Sequence, residues 1–240
     1  VISTAEALER LFLLARSLGT EEVPLAEAAG RVLAADVVAQ RAQPPFAASA
    51  MDGYAVRAAD IAEGAAFRVI GEAPAGRAHP GPVGPGEAVR IFTGAPVPAA
   101  ADFVVIQEDT EPTPTGMRLA AVPSGNANIR PAGGDFAPGD RIAAPRLLRP
   151  ADIALAAAMN APTVTVRRRP EVAVIATGDE LVQPGEEPGP DQIVASNALG
   201  LKALFEQAGA TARLLPIARD TEPSLEAAFR LASGADLVVT

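Results

Sequence analysis

Apolar and polar positions alternate with different periods along this chain. Near the start, Ser3 and Glu6 have the Ser-x-x-Glu spacing of a helix N-terminus. Apolar residues then recur every three or four positions until Gly19, which predicts an amphipathic helix. A helical turn at 25–29 and an extended segment at 32–38 follow. This pattern indicates scaffold structure and no chemistry.

Residues 44–138 consist of short apolar runs separated by glycine and proline, a pattern typical of a small β-rich domain. The predicted strands are 67–71, 88–91, 103–107 and 118–122. His79, the only histidine, lies in a proline-rich loop and is expected to be exposed. Residues 139–169 resemble scaffold again, with a helix at 151–159, a strand at 163–166 and a solvated basic linker at 167–169.

From residue 170 the pattern alternates between strands and helices. The predicted elements are a strand at 171–176, a helix capped by Ser196 or Asn197, a strand at 211–217, a helix at 224–232 and a strand at 236–239. This order predicts right-handed crossovers and a parallel sheet. The expected fold is multidomain α+β and α/β. A scaffold at 1–43 and 139–169 carries an inserted β-rich domain at 44–138, and a parallel-sheet α/β domain follows at 170–240.

Composition narrows the classes of function. The net charge of −9 argues against binding a nucleic-acid backbone, which needs clustered lysine and arginine. The absence of cysteine excludes thiolate metal sites and cysteine nucleophiles. No apolar run is long enough for a membrane helix and no signal-peptide pattern is present, so the expected location is cytoplasmic.

Polar groups are expected at the carboxyl ends of the predicted parallel strands, where ligands bind in such sheets. The segment 177–180 follows the first strand and Asp220 follows the second. Glu180 and Asp220 could converge there, and paired carboxylates without histidine or cysteine suit a Mg²⁺ site that bridges phosphates. The alternative is that Asp179 or Glu180 caps a helix.

Three further acidic or hydroxyl positions lie in the β-rich segment. Asp52-Gly53 follows an extended Pro44-Pro45 segment and is either a tight turn or a functional carboxylate. Thr93 precedes a glycine after a predicted strand, which suggests a hairpin turn or a binding residue. Asp135 follows two glycines, which is favourable turn chemistry.

Five blocks of the sequence resemble the MoeA family of molybdopterin molybdenumtransferases, relatives of the gephyrin E domain. In chain order they are PPFAASAMDGYAVR (44–57), IFTGAPVPAAADFVVIQED (91–109), NIRPAGGDFAPGD (128–140), VAVIATGDELVQPG (172–185) and IVASNALGLKALFEQAGA (193–210). The resemblance implies transfer of molybdenum from molybdate to adenylated molybdopterin, with cleavage of the pyrophosphate and release of AMP. It also implies a homodimer, and a MogA-type adenylyltransferase is a candidate partner.

The resemblance assigns residues by position. The cleft residues it implies are Asp52, Thr93, Asp135, Glu180 and Asp220, of which Glu180 and Asp220 would hold Mg²⁺. The substrate-binding residues it implies are Thr177, Gly178, Asp179, Ser196 and Asn197. Relatives continue beyond the position of Thr240 into a phosphate-binding loop, so a fragment or a truncated relative is expected.

Two other classes of function are alternatives. A non-catalytic molybdopterin-binding or assembly protein would keep the scaffold without turnover. A generic sugar- or nucleotide-binding α/β protein is disfavoured because the MDGY and TGAP blocks would have no role in it.

Overall fold

The computed structural model describes residues 2–240, and the chain divides into two compact units. The segments of unit 1 are 2–36, 143–157 and 161–240, and those of unit 2 are 37–142 and 158–160. The β-rich segment expected at 44–138 lies within unit 2. The three-part division of domains remains a prediction.

Helices are few and strands are short. The described residues form helices α1 (Thr4–Leu14), α2 (Pro150–Ala158), α3 (Asn197–Gln207) and α4 (Glu222–Leu231). Single turns of 3₁₀ helix lie at Leu25–Glu27, Ala58–Asp60 and Gln107–Asp109. The strands are β1 (Thr20–Pro24), β2 (Val32–Leu33), β3 (Val37–Val38), β4 (Ala48–Ser49), β5 (Gly53–Val56), β6 (Ala66–Ala73), β7 (Glu87–Ile91), β8 (Phe103–Ile106), β9 (Thr110–Thr113), β10 (Gly116–Leu119), β11 (Ile129–Arg130), β12 (Arg141–Ile142), β13 (Arg146–Leu147), β14 (Thr163–Arg167), β15 (Glu171–Val174), β16 (Leu181–Val182), β17 (Ile193–Val194), β18 (Thr211–Leu214) and β19 (Leu237–Val239).

A six-stranded mixed sheet in the order β8-β5-β7-β6-β10-β9 forms the centre of unit 2. Only β6 and β7 pair in parallel, and the other neighbours are antiparallel. Ala55 and Val89 belong to one buried cluster, whereas the adjacent Val56 and Ala88 belong to another. Because successive strand residues point to opposite faces, both faces of this sheet are covered by apolar side chains.

The predicted strands of unit 2 are largely confirmed. The predictions at 67–71, 88–91 and 103–107 correspond to β6, β7 and β8. The prediction at 118–122 extends too far, because β10 ends at Leu119. His79 is half-buried rather than exposed, since its imidazole ring packs against the Cα of Gly71.

Unit 1 contains an antiparallel sheet in the order β1-β14-β2-β13 and a parallel sheet in the order β18-β15-β19. In the parallel sheet, Phe205 of α3 packs with Val172 and Val174, while Ala228 of α4 packs with Ala173. The two helices therefore cover opposite faces. The predicted strands and helices from residue 170 are present, but two unpredicted short strands, β16 and β17, lie between β15 and α3.

The chain leading into the parallel sheet is anchored by arginines. Arg167 donates to the carbonyl of Leu18 at 3.1 Å, and Arg168 donates to both carboxylate oxygens of Asp236 at 2.8 and 2.7 Å. The predicted solvated basic linker at 167–169 is therefore wrong for its first two residues.

At the N-terminus, the Ser3 Oγ accepts the N–H of Glu6 at 3.2 Å and caps α1 as predicted. The reciprocal half of the capping box is absent, since the Glu6 carboxylate accepts from Arg10 at 2.6 Å. None of the helices among residues 2–240 is long and apolar enough to cross a membrane.

Candidate functional site

Asp52 and Thr93 are joined directly in unit 2. Asp52 immediately precedes β5 and Thr93 follows β7, and these strands pair so that Gly53 lies opposite Ile91. The Asp52 Oδ1 accepts hydrogen bonds from the backbone N–H and the Oγ1 of Thr93, both at 2.8 Å. No described residue of 2–240 donates to Oδ2, and both side chains are exposed. One carboxylate oxygen is therefore held and the other faces solvent.

The glycine after Asp52 is required by a close approach of two strands. A Cβ on the buried Gly53 would collide with the carbonyl oxygen of Val105 and would lie 3.1 Å from the Cα of Ile106. The expectation of a tight Asp52-Gly53 turn is wrong, because Gly53 is the first residue of β5 and its φ is not positive. Asp52 bonds across to another strand end instead of to its own backbone.

The backbone after β7 turns to present Thr93. Gly94 has a φ of +80°, and its N–H donates to the carbonyl of Ser49 at 2.8 Å. The N–H of Ala95 donates to the carbonyl of Phe92 at 2.9 Å, which closes the turn. The turn is confirmed, but it does not form a hairpin, because the next strand, β8, pairs with β5 and not with β7.

The hydrogen bonds to Asp52 lower its pKa. The largest cause is the backbone N–H of Thr93, followed by its hydroxyl, and burial has a weaker opposing effect. The positive charge of Arg90 lowers the pKa further. The Asp52 carboxylate is thus ionised at neutral pH and keeps one oxygen available as an acceptor.

Arg90 was not identified from the sequence. Its guanidinium carbon lies 5.0 Å from the ring centroids of both Tyr54 and Phe92. Its Nη1 donates to the carbonyl of Gly53 at 3.3 Å, and its Nη2 donates to the side-chain carbonyl of Gln107. Alternation along β7 places Arg90 and Phe92 on one face, and this pattern is the signal that could have found the pair.

Asp135 forms a separate ion pair. It lies in the glycine turn predicted for it, where Gly133 has a φ of +74°. Its two carboxylate oxygens accept from Nη2 of Arg130 at 2.6 and 2.8 Å, and both side chains are about half exposed. No described hydrogen bond joins Asp135 to Asp52 or Thr93.

A cavity of about 440 Å³ opens in unit 1 beside the carboxyl end of β15. Its wall includes four predicted residues, which are Thr177, Glu180, Ser196 and Asn197. The rest of the wall comes from the end of β15 and the two residues after it, from Leu181, β17 and Ala195, from α3 and from Thr240. Ligands bind at this end of open parallel sheets, and the volume suits a small organic molecule.

The loop after β15 positions Glu180. Gly178 has a φ of +145°, and an added Cβ would lie 2.7 Å from the carboxylate carbon of Glu180. The N–H of Gly178 donates to the carbonyl of Ala218 at 3.0 Å, which connects this loop to the loop after β18. Glycine at this position therefore lets the carboxylate fold back over the loop.

The remaining predicted residues lie beside the cavity and not in its wall. The Asp179 Oδ1 accepts the N–H of Asp220 at 3.3 Å, and Arg219 donates to the carbonyls of Asp179 and Leu181 at 2.9 and 3.3 Å. Gly178, Asp179 and Asp220 are absent from the lining residues. The predicted convergence of Glu180 with Asp220 at a metal ion remains a prediction.

The N-terminus of α3 has no side-chain cap, and a cluster of metal-binding side chains is not found in the described residues 2–240. Ser196 precedes α3 but makes no side-chain cap, so the predicted cap by Ser196 is wrong and the first amides of α3 remain available beside the cavity. Within residues 2–240, no group of three or more His, Cys, Asp or Glu side chains is placed to hold a metal ion.

Comparison with known proteins places both units in one family. Residues 2–160 match the family model described as "MoeA N-terminal region (domain I and II)", and residues 173–240 match the one described as "Probable molybdopterin binding domain". The molybdopterin molybdenumtransferase of Nostoc sp. is 38% identical over 228 residues, covering 92% of this chain and 52% of that protein. The molybdopterin molybdenumtransferase of Haemophilus influenzae is 36% identical over 224 residues, covering 92% of this chain and 55% of that protein.

Solved structures agree with these matches. The crystal structure of a molybdopterin biosynthesis moeA protein from Pyrococcus horikoshii has a TM-score of 0.89 at 32% identity, covering 99% of this chain and 65% of that one. A second structure of the Pyrococcus protein has a TM-score of 0.82 at 34% identity. The chain spans about half the length of the curated relatives it matches, and on these matches it belongs to the MoeA family.

Proposed function

We propose that this chain carries out, or contributes to, the transfer of molybdenum from molybdate to adenylated molybdopterin, with release of AMP. The observation that supports this most strongly is the cavity beside β15. It lies within the segment that matches the molybdopterin-binding family model, and its wall carries a carboxylate and several hydroxyl and amide groups. Relatives with the same two segments are named molybdopterin molybdenumtransferases.

In this proposal the cavity holds the pterin and its phosphates. Thr177 and Asn197 offer hydrogen-bonding groups in the wall, and the first amides of α3 favour negatively charged groups. Gly178, Asp179 and Ser196 would support the loop and the helix end that border this space. The dithiolene sulfurs belong to the substrate, so a protein without cysteine can still receive molybdenum on it.

Glu180 is the residue we assign to Mg²⁺. Protein-bound Mg²⁺ is usually held by one or two carboxylates together with substrate phosphates, and Glu180 is the acidic side chain in the wall. The ion would neutralise phosphate charge there. Asp220 lies next to Asp179 and outside the wall, so we assign it to the support of this loop.

Asp52 and Thr93 are assigned to the orientation of an oxygen-bearing reactant. The ionised carboxylate would repel a bare oxyanion, but it accepts a hydrogen bond from water or from a protonated oxygen of molybdate. Thr93 holds the other carboxylate oxygen, so its part is to orient Asp52. A homodimer and a MogA-type partner remain predictions, and Asp135 remains a candidate cleft residue.

The test is molybdate- and Mg²⁺-dependent release of AMP from adenylated molybdopterin, followed by chromatography. Glu180→Gln and Asp52→Ala are each expected to reduce the rate, while Glu111→Gln, a change on the exposed β9, is the matched control. Wild-type rates in both site variants would overturn the residue assignments. Binding of the pterin without AMP release would instead favour a non-catalytic molybdopterin-binding protein.

A further inference from the structure

Arg90 is held on four sides next to the Asp52–Thr93 pair. Its strand position lies opposite Tyr54 in the β5–β7 register, and cross-strand partners share one face of a sheet. The rings of Tyr54 and Phe92 flank the guanidinium, each with its centroid 5.0 Å from Cζ. Cationic groups at this distance from aromatic rings are attracted to them. The side chain is half-buried and fixed in place.

The hydrogen bonds of Arg90 connect it to both ends of the strand pair. Nη1 donates to the carbonyl of Gly53, the residue after Asp52. Nη2 donates to Gln107, whose own N–H donates to the carbonyl of Asp52 at 3.0 Å. The guanidinium therefore bonds directly to the carbonyl of Gly53 and, through Gln107, indirectly to the carbonyl of Asp52. Removing that guanidinium would release the carbonyl of Gly53 and the side chain of Gln107, while the backbone bond from Gln107 to Asp52 would remain.

The charge of Arg90 is not neutralised by an ion pair among the residues that the structure describes. Other sheet arginines differ, because Arg68 pairs with Glu87 and Arg118 pairs with Glu111. Arg68 and Arg118 thus stabilise the sheet through ion pairs with carboxylates. Arg90 has no such carboxylate partner among the described residues, which indicates a different role. The positive charge of Arg90 lowers the pKa of Asp52, by less than either hydrogen bond from Thr93 does.

We propose that Arg90 is a positioning residue, whose ring-clamped guanidinium orients the Asp52–Thr93 pair and supplies it with a fixed positive charge. This inference rests on the proposed function for its catalytic consequence. The effect of Arg90 on the protonation of Asp52 can be measured even if the protein does not release AMP.

The test compares Arg90→Met, which removes the charge, with Arg90→Lys, which keeps it, and with Arg118→Met as the matched strand control. Carboxyl ¹³C NMR titration reports the proton affinity of Asp52, whose signal is identified by its loss in Asp52→Asn. We expect Arg90→Met to raise that proton affinity by roughly two- to fivefold, the range typical of one partly screened charge. Arg90→Lys should restore most of the difference, and Arg118→Met should cause none.

The pH profile of AMP release supplies the second measurement. Its acid limb is expected to move to higher pH in Arg90→Met and to stay in place in Arg118→Met. If no protein releases AMP, the proposed function fails while the NMR titration still decides the role of Arg90. An unchanged Asp52 titration in folded Arg90→Met would overturn the inference.

If Arg90→Met does not fold, Gln107→Leu replaces it. Gln107→Leu removes the hydrogen bond from Nη2 of Arg90 and keeps the positive charge. It should loosen the guanidinium and raise the proton affinity of Asp52, but by less than Arg90→Met would. A wild-type titration curve of Asp52 in folded Gln107→Leu would also contradict the proposal.

Discussion

The substitution Gly53→Ala tests the close strand approach on which the position of Asp52 depends. The added methyl group would overlap the carbonyl oxygen of Val105, and its carbon would lie 2.9 Å from the carbonyl carbon of Val105. Both atoms belong to the backbone of the neighbouring strand β8, so neither can move aside as a flexible side chain would. The strands β5 and β8 must therefore separate where Gly53 faces Ile106.

The cost can be worked out from these contacts. Forcing one methyl group into a packed interior costs about 1–3 kcal/mol. The separation also weakens at least one ladder hydrogen bond, which is worth about 1 kcal/mol. A total of about 3 kcal/mol corresponds to a fall in Tm of about 6–12 °C for a chain of this size.

Tyrosine fluorescence gives a local assay for this prediction. Tyr54 is the only tyrosine, the chain has no tryptophan, and Tyr54 follows Gly53 directly in β5. Its thermal transition therefore reports this sheet even if the two units unfold separately. The matched control is Gly81→Ala, since a Cβ on Gly81 meets no atom within 4 Å, and its Tm should equal that of the wild type. Equal transitions for Gly53→Ala and Gly81→Ala would refute the reasoning.

Three further changes have defined outcomes. Thr93→Val removes the hydroxyl bond to Asp52 but keeps the stronger backbone bond, so the pKa of Asp52 should rise part of the way to its ordinary value. The pH profile of AMP release measures this, and an acid limb at the wild-type pH would contradict it. Asp236 has its pKa lowered to about 2 by hydrogen bonds from Arg168 and then from a backbone N–H, so its stabilising effect is present above about pH 4 and disappears as the pH falls through the folded pKa. Thermal melts should thus separate Asp236→Asn from wild type by much more at pH 6 than at pH 2, and a constant difference would argue against the ion pair. Gly178→Ala combines backbone strain with a clash against the cavity glutamate, and calorimetry should show adenylated molybdopterin bound about tenfold more weakly, with unchanged affinity as the contrary result.

Much of the fold could be predicted from local pattern. The strands β6, β7, β8 and β15 are short, largely apolar segments, and they appear where the pattern places them. The strand β5 was missed because it begins at a glycine, which has no strand signal of its own. Its need for glycine comes from Val105, a residue far away in sequence. No local pattern contains that information.

The individual residues of the candidate site could be predicted in part, but not the contacts between them. The resemblance to the MoeA family indicated Asp52 and Thr93 separately, but their direct hydrogen bonds depend on the register between β5 and β7. Arg90 was missed because an arginine in a strand usually belongs to a solvated face. Its aromatic neighbours, Tyr54 and Phe92, come from two strands that meet only in the folded sheet. Side-chain chemistry that depends on strand register is therefore what the sequence alone could not indicate.

The two ends of the main segment of unit 2, residues 37–142, lie side by side. This segment begins and ends with a pair of short strands, in which Val37 of β3 faces Ile142 of β12. Just outside that pair of strands, the carboxylate of Asp36 accepts the N–H of Ala144 at 2.8 Å. A segment whose two ends are already held together behaves as a module, because closing it costs the host chain little more than a short loop would. Evolution could have inserted this module at a surface turn, and an engineer could exchange it there for a hairpin turn or for the module of a relative.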